Sequence, residues 1–316
     1  MDKGGTSLQL RVNQASDVAH DIREFELVRP DGGELPAFTA GAHLNIDTPS
    51  GQSRKYSLCN SPLERNRYVI AVKHERSGKG GSASMHRDVQ VGTLLTCSPP
   101  ENAFELVDNK RGYLFIAGGI GITPIYAMVQ YLAATGELPW QLIYLSRSPE
   151  GCAYLERLNT DPRVTIHHDM GDPRNALDLW PLLEQPRGRQ LYCCGPNGLM
   201  DAVRDMSGHW PTPAVHFESF VQGGEKKLGD RPFAVRLART GIEFQVPVGK
   251  SILDCMREVG GDQVSSCESG TCGTCKTALI DGEADHRDMV LMPEERAGYV
   301  MVCVSRAKGE RLTLDL

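Results

Sequence analysis

Cys267-Glu268-Ser269-Gly270-Thr271-Cys272-Gly273-Thr274-Cys275 puts three cysteines within nine positions, spaced C-x4-C-x2-C, with Cys303 as a distant fourth. That is the plant-type [2Fe-2S] spacing, in which one loop supplies most of the ligands. The neighbouring residues suit the same chemistry. Thiolates and sulfides carry dense negative charge that backbone N–H groups stabilise, and Gly270 and Gly273 let the backbone wrap closely with no Cβ in the way. Ser265, Ser266, Ser269, Thr271 and Thr274 are small and able to donate further hydrogen bonds. The competing reading is a structural zinc ion on four cysteines. Zinc sites usually present two short C-x2–4-C pairs on separate turns, which is not this arrangement.

Upstream of the loop, residues 233–237 and 242–246 read as a β-hairpin and residues 251–259 as a helix. Before them, Gln222-Gly223-Gly224-Glu225-Lys226-Lys227-Leu228-Gly229-Asp230 has the Gly-rich, charged composition of a linker. The other six of the ten cysteines, Cys59, Cys97, Cys152, Cys193, Cys194 and Cys255, are scattered and read as small buried hydrophobes. Clustering of the remaining four points to metal rather than disulfides in a reducing compartment.

The middle of the chain alternates short apolar runs (113–117, 142–145, 164–166, 190–193) with helical candidates, including 124–134 and 198–206. Such alternation argues for a parallel sheet covered on both faces. Ala117-Gly118-Gly119-Ile120-Gly121-Ile122-Thr123-Pro124 lies between a buried strand and a helix. Glycines there allow a pyrophosphate to approach the backbone, and a helix N-terminus favours an anion. It is not the G-x-G-x-x-G pattern. Cys193-Cys194-Gly195-Pro196 ends a later strand at the same expected sheet edge. Ser146-Arg147-Ser148, with Glu150 close behind, leaves the choice between NADH and NADPH open: an acid holds a ribose 2′-hydroxyl, an arginine a 2′-phosphate.

Residues 1–103 read as β-rich. Alternating apolar positions at 8–12, 43–46 and 68–72 are separated by turn residues, as in an antiparallel barrel. Arg54-Lys55-Tyr56-Ser57-Leu58, Lys73 and Gly80-Gly81-Ser82 are candidates for a flavin site. An aromatic face can stack on an isoalloxazine, a hydroxyl can meet its edge, and an arginine with glycine amides can hold a terminal phosphate.

The bulk properties set bounds. The chain has 316 residues, 40% hydrophobic and 23% charged, enough for two or three domains. A net charge of -6 argues against nucleic acid as a partner. No apolar run approaches the ~20 residues a membrane helix requires. The polar start, Met1-Asp2-Lys3-Gly4-Gly5, lacks the apolar core of a signal peptide, so the expected location is cytoplasmic.

Taken together, Arg54-x-Tyr56-Ser57-Leu58, Gly80-Gly81-Ser82, the Gly118–Pro124 turn, Cys194-Gly195-Pro196 and the cysteine loop resemble the phthalate dioxygenase reductase family over nearly the whole chain. Val215-His216-Phe217-Glu218-Ser219-Phe220, Gly282-Glu283-Ala284-Asp285-His286-Arg287-Asp288 and Met301-Val302-Cys303-Val304-Ser305-Arg306-Ala307-Lys308 are similar to the same family. The resemblance implies a multidomain α/β and β protein. Its parts are an antiparallel β-barrel flavin domain (1–103), a Rossmann-like parallel-sheet NAD domain (104–222), a linker (223–231) and a β-grasp ferredoxin domain (232–316). It implies FMN, NADH and a [2Fe-2S] cluster on Cys267, Cys272, Cys275 and Cys303, with a Rieske-type non-haem iron oxygenase as electron acceptor. Arg54 and Ser82 would meet the FMN phosphate, Tyr56 and Ser57 the isoalloxazine, with Lys73 nearby and Gly81 also in the flavin site. Gly118, Gly119, Gly121, Thr123, Cys194, Gly195 and Pro196 would form the nucleotide site, and Thr123 and Phe220 would lie near the flavin–nicotinamide junction. No protein acid or base is required for hydride transfer, so no catalytic residue is expected, and the histidines, such as His167, His168 and His286, read as structural. Phthalate is the implied substrate of the partner. Other Rieske oxygenases (isophthalate, terephthalate, O-demethylase, carnitine-type) and a non-enzymatic iron–sulfur or zinc sensor are the alternatives. Nothing in the sequence demands more than a monomer.

Overall fold

A computed structural model of the chain describes residues 7–76, 80–136, 138–220, 227–261 and 263–316. The chain divides into two compact units, Met1–His216 and Phe217–Leu316. Among the described residues, no helix is long and apolar enough to cross a membrane.

The first unit begins with six antiparallel strands: β1 (Leu8–Ala19), β2 (Ile22–Val28), β3 (His43–Asp47), β4 (Ser53–Ser57), β5 (Tyr68–Lys73) and β6 (Leu94–Cys97), with helix α1 (Gly81–Asp88) between the last two. Their order is β4-β3-β6-β1-β2-β5. The sheet curls into a barrel because Leu58, just past β4, bridges Ile70 of β5, and the Cys59 amide donates to the Val69 carbonyl at 2.7 Å. Alternation along β5 serves two cores at once. Tyr68, Ile70 and Val72 fill the barrel with Leu10, Phe25 and Leu44. Val69 and Ala71 point the other way, into a cluster with Phe104, Phe115, Ile125 and Met128.

That second cluster belongs to a five-stranded sheet of β7 (Tyr113–Gly118), β8 (Trp140–Ser146), β9 (Val164–His168), β10 (Gln190–Cys194) and β11 (Val215–Glu218), in the order β11-β10-β7-β8-β9. β7 runs parallel to both β8 and β10. All six residues of β7 are buried, as expected of a strand with both faces covered. The connecting helices are α2 (Ile122–Thr135), the short α3 (Leu155–Leu158) and α4 (Trp180–Leu183), and α5 (Asn197–Met206). Pro124, expected near the first helical position, is the third residue of α2, because a 3-10 turn at Gly119–Gly121 precedes the helix. The chain winds outward in both directions from β7, so the switch point lies between β7 and β10. In open α/β sheets that is where ligands bind.

The second unit holds β12 (Phe233–Leu237), β13 (Glu243–Val246), α6 (Ile252–Glu258), β14 (Lys276–Asp281), β15 (Ala284–Asp285), β16 (Tyr299–Met301), β17 (Arg306–Ala307) and β18 (Arg311–Leu314). The order β13-β12-β18-β14-β16, with β12 parallel to β18 and a helix packed on the sheet, is a β-grasp. A capping box starts α6: the Ser251 hydroxyl accepts from the Asp254 amide while the Asp254 carboxylate accepts from the Ser251 amide. Arg306 is buried and donates to the carbonyls of Lys250, Arg231 and Pro247. The linker expectation at 223–231 falls partly outside the described residues, at 223–226.

Candidate cofactor sites

The cysteine loop is shaped by its glycines. Gly270 (φ +77°) and Gly273 (φ +82°) lie in the left-handed region. A Cβ on Gly270 would stand 2.7 Å from Val304 Cγ2 and 3.2 Å from Asp288 Cα. This close packing against Val304 brings the loop to Cys303. The Met289 amide closes the contact on the Gly270 carbonyl at 2.9 Å. Backbone N–H groups of Ser269 and Thr271 both point at Cys267 Sγ, each at 3.4 Å. Thr274 Oγ1 lies 3.2 Å from Cys272 Sγ, whereas Ser265 is engaged elsewhere, with Arg257 and Glu268.

The four sulfurs meet in pairs. The Cys272 thiol hydrogen-bonds Cys267 and pulls it down to about 4, helped by the Thr271 hydroxyl and the two backbone N–H groups. Cys303 likewise lowers Cys275, while Cys272 and Cys303 are pushed up. Among the described residues, no three His, Cys, Asp or Glu side chains gather around a point in the way one metal ion requires. Four cysteine sulfurs, with backbone N–H groups aimed at one of them, are a donor set that suits a [2Fe-2S] cluster.

On β4, Arg54 and Tyr56 are two residues apart and therefore share a face. Arg54 lies against the start of α1, where a Cβ on Gly81 would stand 3.1 Å from Arg54 Cγ and Nε. Helix α1 opens on Gly80 (φ +94°), with no side-chain cap and no acid in its first turn. Uncapped amides and a guanidinium thus converge, which suits a phosphate. Arg54 is held by the Ser53 carbonyl and the Gln52 side chain. Ser82 Oγ accepts from the Glu75 amide at 3.0 Å, and Glu75 pairs with Lys73 at 2.8 Å, which ties these two expected residues to the same corner. Burial pushes the Tyr56 hydroxyl up to about 12, so it stays neutral at ordinary pH. Ser57 Oγ is buried and has no hydrogen-bond partner among the described residues. A buried hydroxyl left unpaired is costly, and a polar ring edge would satisfy it. The corner fits a flavin mononucleotide.

The two glycine turns of the parallel sheet lie side by side. A Cβ on Gly121 would sit 2.1 Å from the Cys194 carbonyl oxygen, and one on Gly118 would sit 2.7 Å from Pro196 Cδ and Leu199 Cδ2. Gly195 meets Gly118 Cα at 3.0 Å in the same sense. Gly118, Gly121 and Gly195 are therefore needed to pack one turn on the other. Only Gly119 (φ +53°) faces open space and offers its backbone to a ligand. Thr123 is buried and its hydroxyl donates to the Ile120 carbonyl at 2.9 Å. At the end of β8, Ser146 Oγ is 2.7 Å from His168 Nδ1, and Arg147 is exposed. Glu150 is held below its usual range, first by the Ser148 hydroxyl. His167 and His286 contact the carbonyls of Asn175 and Arg296, as structural histidines do. Phe220 follows β11 in the second unit and is exposed.

Residues 9–106 match the oxidoreductase FAD-binding domain family, and residues 235–308 match the 2Fe-2S iron-sulfur cluster binding domain family. Over 323 residues the chain is 49% identical to the phthalate 4,5-dioxygenase oxygenase reductase subunit of Pseudomonas putida, covering 100% of this chain and 98% of that protein. It belongs to the phthalate dioxygenase reductase family. The family's Burkholderia cepacia phthalate dioxygenase reductase is also 49% identical, over 98% of this chain and 97% of that protein. A solved phthalate dioxygenase reductase, described as a modular structure for electron transfer from pyridine nucleotides to [2Fe-2S], has a TM-score of 0.75 with 49% identity and covers 98% of each chain. As a member of this family the chain is an oxidoreductase with a flavin domain, a parallel-sheet domain and a [2Fe-2S] domain. Sequence reasoning missed the packing role of Gly118, Gly121 and Gly195, because a close approach between distant turns leaves no local signal. It also missed Arg257, which reaches Ser265 and Glu268 beside the cysteine loop.

Proposed function

We propose that this chain is the reductase component of a two-component Rieske oxygenase system, carrying electrons from NADH through FMN and a [2Fe-2S] cluster to the oxygenase, with phthalate as that oxygenase's substrate. The observation that carries the reading is the convergence of the Ser269 and Thr271 N–H groups on Cys267 Sγ, in a C-x4-C-x2-C loop whose Gly270 packs on Val304 beside Cys303, in a chain that also holds the flavin corner and the paired glycine turns. Full-length identity of 49% to two phthalate dioxygenase reductases supports the choice of partner.

In this reading residues 1–103 hold FMN, 104–222 hold the pyridine nucleotide, 223–231 link, and 232–316 carry the cluster on the four cysteines. Arg54, Gly81 and Ser82 take the FMN phosphate. Tyr56, kept neutral by burial, offers a flat face, and Ser57 presents its unpaired hydroxyl to the ring edge. Lys73 stands by through Glu75. Gly119 lets the pyrophosphate approach, while Gly118, Gly121, Thr123, Cys194, Gly195 and Pro196 form the floor beneath it, and Phe220 serves the flavin–nicotinamide junction. The bound groups supply hydride acceptance and release of single electrons; the protein positions them. The protein works as a cytoplasmic monomer, without nucleic acid or membrane as partner.

Anaerobic titration with NADH, then NADPH, tests this directly. Bleaching of flavin and iron–sulfur bands with about three electrons taken up, two by the flavin and one by the cluster, is expected. Released flavin should run as FMN; FAD in the extract would overturn that part. Cys272→Ser should abolish electron delivery to a cytochrome c-type acceptor while NADH still reduces the flavin. Turnover of phthalate with a phthalate dioxygenase oxygenase component, and none with a carnitine-type one, checks the partner.

A further inference from the structure

Glu268 directly follows the first cysteine of the loop and has φ +55°, the left-handed region that residues with a side chain rarely occupy. Asp21, Tyr154, Met170 and Arg187 share that sign of φ, but only Glu268 lies between the expected cluster ligands. Something must hold it there. Arg257, in the last turn of α6, places Nη2 2.6 Å from Ser265 Oγ and 2.8 Å from Glu268 Oε1. Ser265 Oγ in turn donates to Glu268 Oε1 at 2.9 Å. The three side chains form a closed triangle across eleven positions of chain. On the far side of Glu268, the amides of Ser269 and Thr271 converge on Cys267 Sγ. The backbone that delivers those two amides is the backbone that the left-handed turn at Glu268 redirects.

We propose that Arg257 is a positioning residue for the iron–sulfur cluster. Its guanidinium holds Glu268 in the left-handed turn that aims the Ser269 and Thr271 N–H groups at Cys267, and it balances the Glu268 charge beside the cluster. The carboxylate serves as a handle. A glycine at 268 would adopt the turn unaided, so the arginine is needed because a glutamate stands there.

The inference rests on the [2Fe-2S] assignment, and the two fail separately: wild-type protein without a [2Fe-2S] spectrum sinks the assignment, whereas the following comparison tests Arg257. Full-length holoprotein is prepared as wild type, Arg257→Ala, Glu268→Gly and the double variant. First-order loss of visible circular dichroism in excess iron chelator is followed, together with the cluster's reduction potential. Arg257→Ala should lose its cluster about tenfold faster, the scale on which one strained residue shifts an equilibrium. Its potential should move negative, because Glu268 is left unbalanced. Glu268→Gly should lose its cluster no faster than wild type. In that background, Arg257→Ala should add nothing to the loss rate, and the potential should return toward wild type. An Arg257→Ala effect of equal size in both backgrounds, or none in either, overturns the proposal. If Arg257→Ala does not accumulate, Arg257→Lys takes its place, with faster cluster loss at an unchanged potential; wild-type loss kinetics in that variant overturn it too.

Discussion

Arg287 grips Asp230 with both ends of its guanidinium, Nη2 to Oδ1 at 2.5 Å and Nη1 to Oδ2 at 3.2 Å, and the side chains are only 10% and 5% exposed. The same carboxylate accepts from the Lys227 amide at 2.9 Å. Arg287 also reaches Asp285, at 2.7 Å. The described end of the expected linker is therefore fastened to the ferredoxin unit. The hydrogen bond from Arg287 holds the Asp230 carboxyl down to about 2. A depressed carboxyl stabilises the fold above its unfolded pKa near 3.9, and that contribution fades as pH falls toward 2. Asp230→Asn should lower the unfolding free energy of the ferredoxin unit by about 2–3 kcal/mol at pH 7. Urea titrations read by far-ultraviolet circular dichroism at pH 7 and pH 3 check this: the gap to wild type should narrow at the lower pH.

Ser57 predicts opposite effects in the empty and loaded protein. Its buried Oγ lacks a partner among the described residues, so Ser57→Ala removes a group that costs about 1–3 kcal/mol when unpaired. The variant stripped of flavin should melt higher than stripped wild type. The flavin-loaded variant should lose that advantage and bind flavin more weakly, roughly tenfold. Thermal melts with and without added FMN separate the two effects. A lower melting temperature in the stripped variant would contradict the assignment.

Arg54 touches the start of α1, and in the proposed reading it is the cation that takes the FMN phosphate. Arg54→Gln should weaken flavin binding by about 1.5–3 kcal/mol, the value of a hydrogen bond to a charged group. Riboflavin, which lacks the phosphate, should bind wild type and variant alike. Fluorescence titrations with the two ligands check both statements, and an equal loss for riboflavin would place Arg54 elsewhere.

The glycine turns separate packing from flexibility. Gly121→Ala would drive a Cβ to 2.1 Å from the Cys194 carbonyl oxygen, a backbone clash that no rotamer relieves. A loss of about 3 kcal/mol or more is expected, together with NADH-driven flavin reduction. Gly198, in α5, has nothing within 4 Å, and Gly198→Ala should be neutral or stabilise by up to about 1 kcal/mol. Equal stability of the two variants in urea would show that the turns are not packed as described.

Much of this molecule is legible in its sequence because the informative signals are local. The strand at Phe233–Leu237 and the helix bounded by Ser251 and Val259 follow from alternation and a cap. The C-x4-C-x2-C loop declares its chemistry by spacing alone. Helix α1 is not legible because its eight residues, Gly-Ser-Ala-Ser-Met-His-Arg-Asp, include only Met85 as a large buried apolar side chain. Strand β18 is hidden for another reason: its parallel pairing with β12 joins Val235 to Leu312, far apart in sequence, and no short window contains both. Glu268 reads as an ordinary acid. Its left-handed backbone depends on Arg257, which belongs to a different element.

The shared core of the first unit decides where this enzyme tolerates surgery. Ala40, Cys59 and Val69 from the barrel side pack in one cluster with Phe104, Tyr126 and Tyr192. A chimera joined near residue 103 would part Phe104 from the barrel it packs on and expose both broken faces, so flavin and nucleotide halves from different parents should fail together. A junction after Glu218 and before Lys227 leaves the cores on either side whole. Exchanging the electron outlet while keeping the hydride inlet is therefore a matter of choosing where to splice, and this chain marks the place.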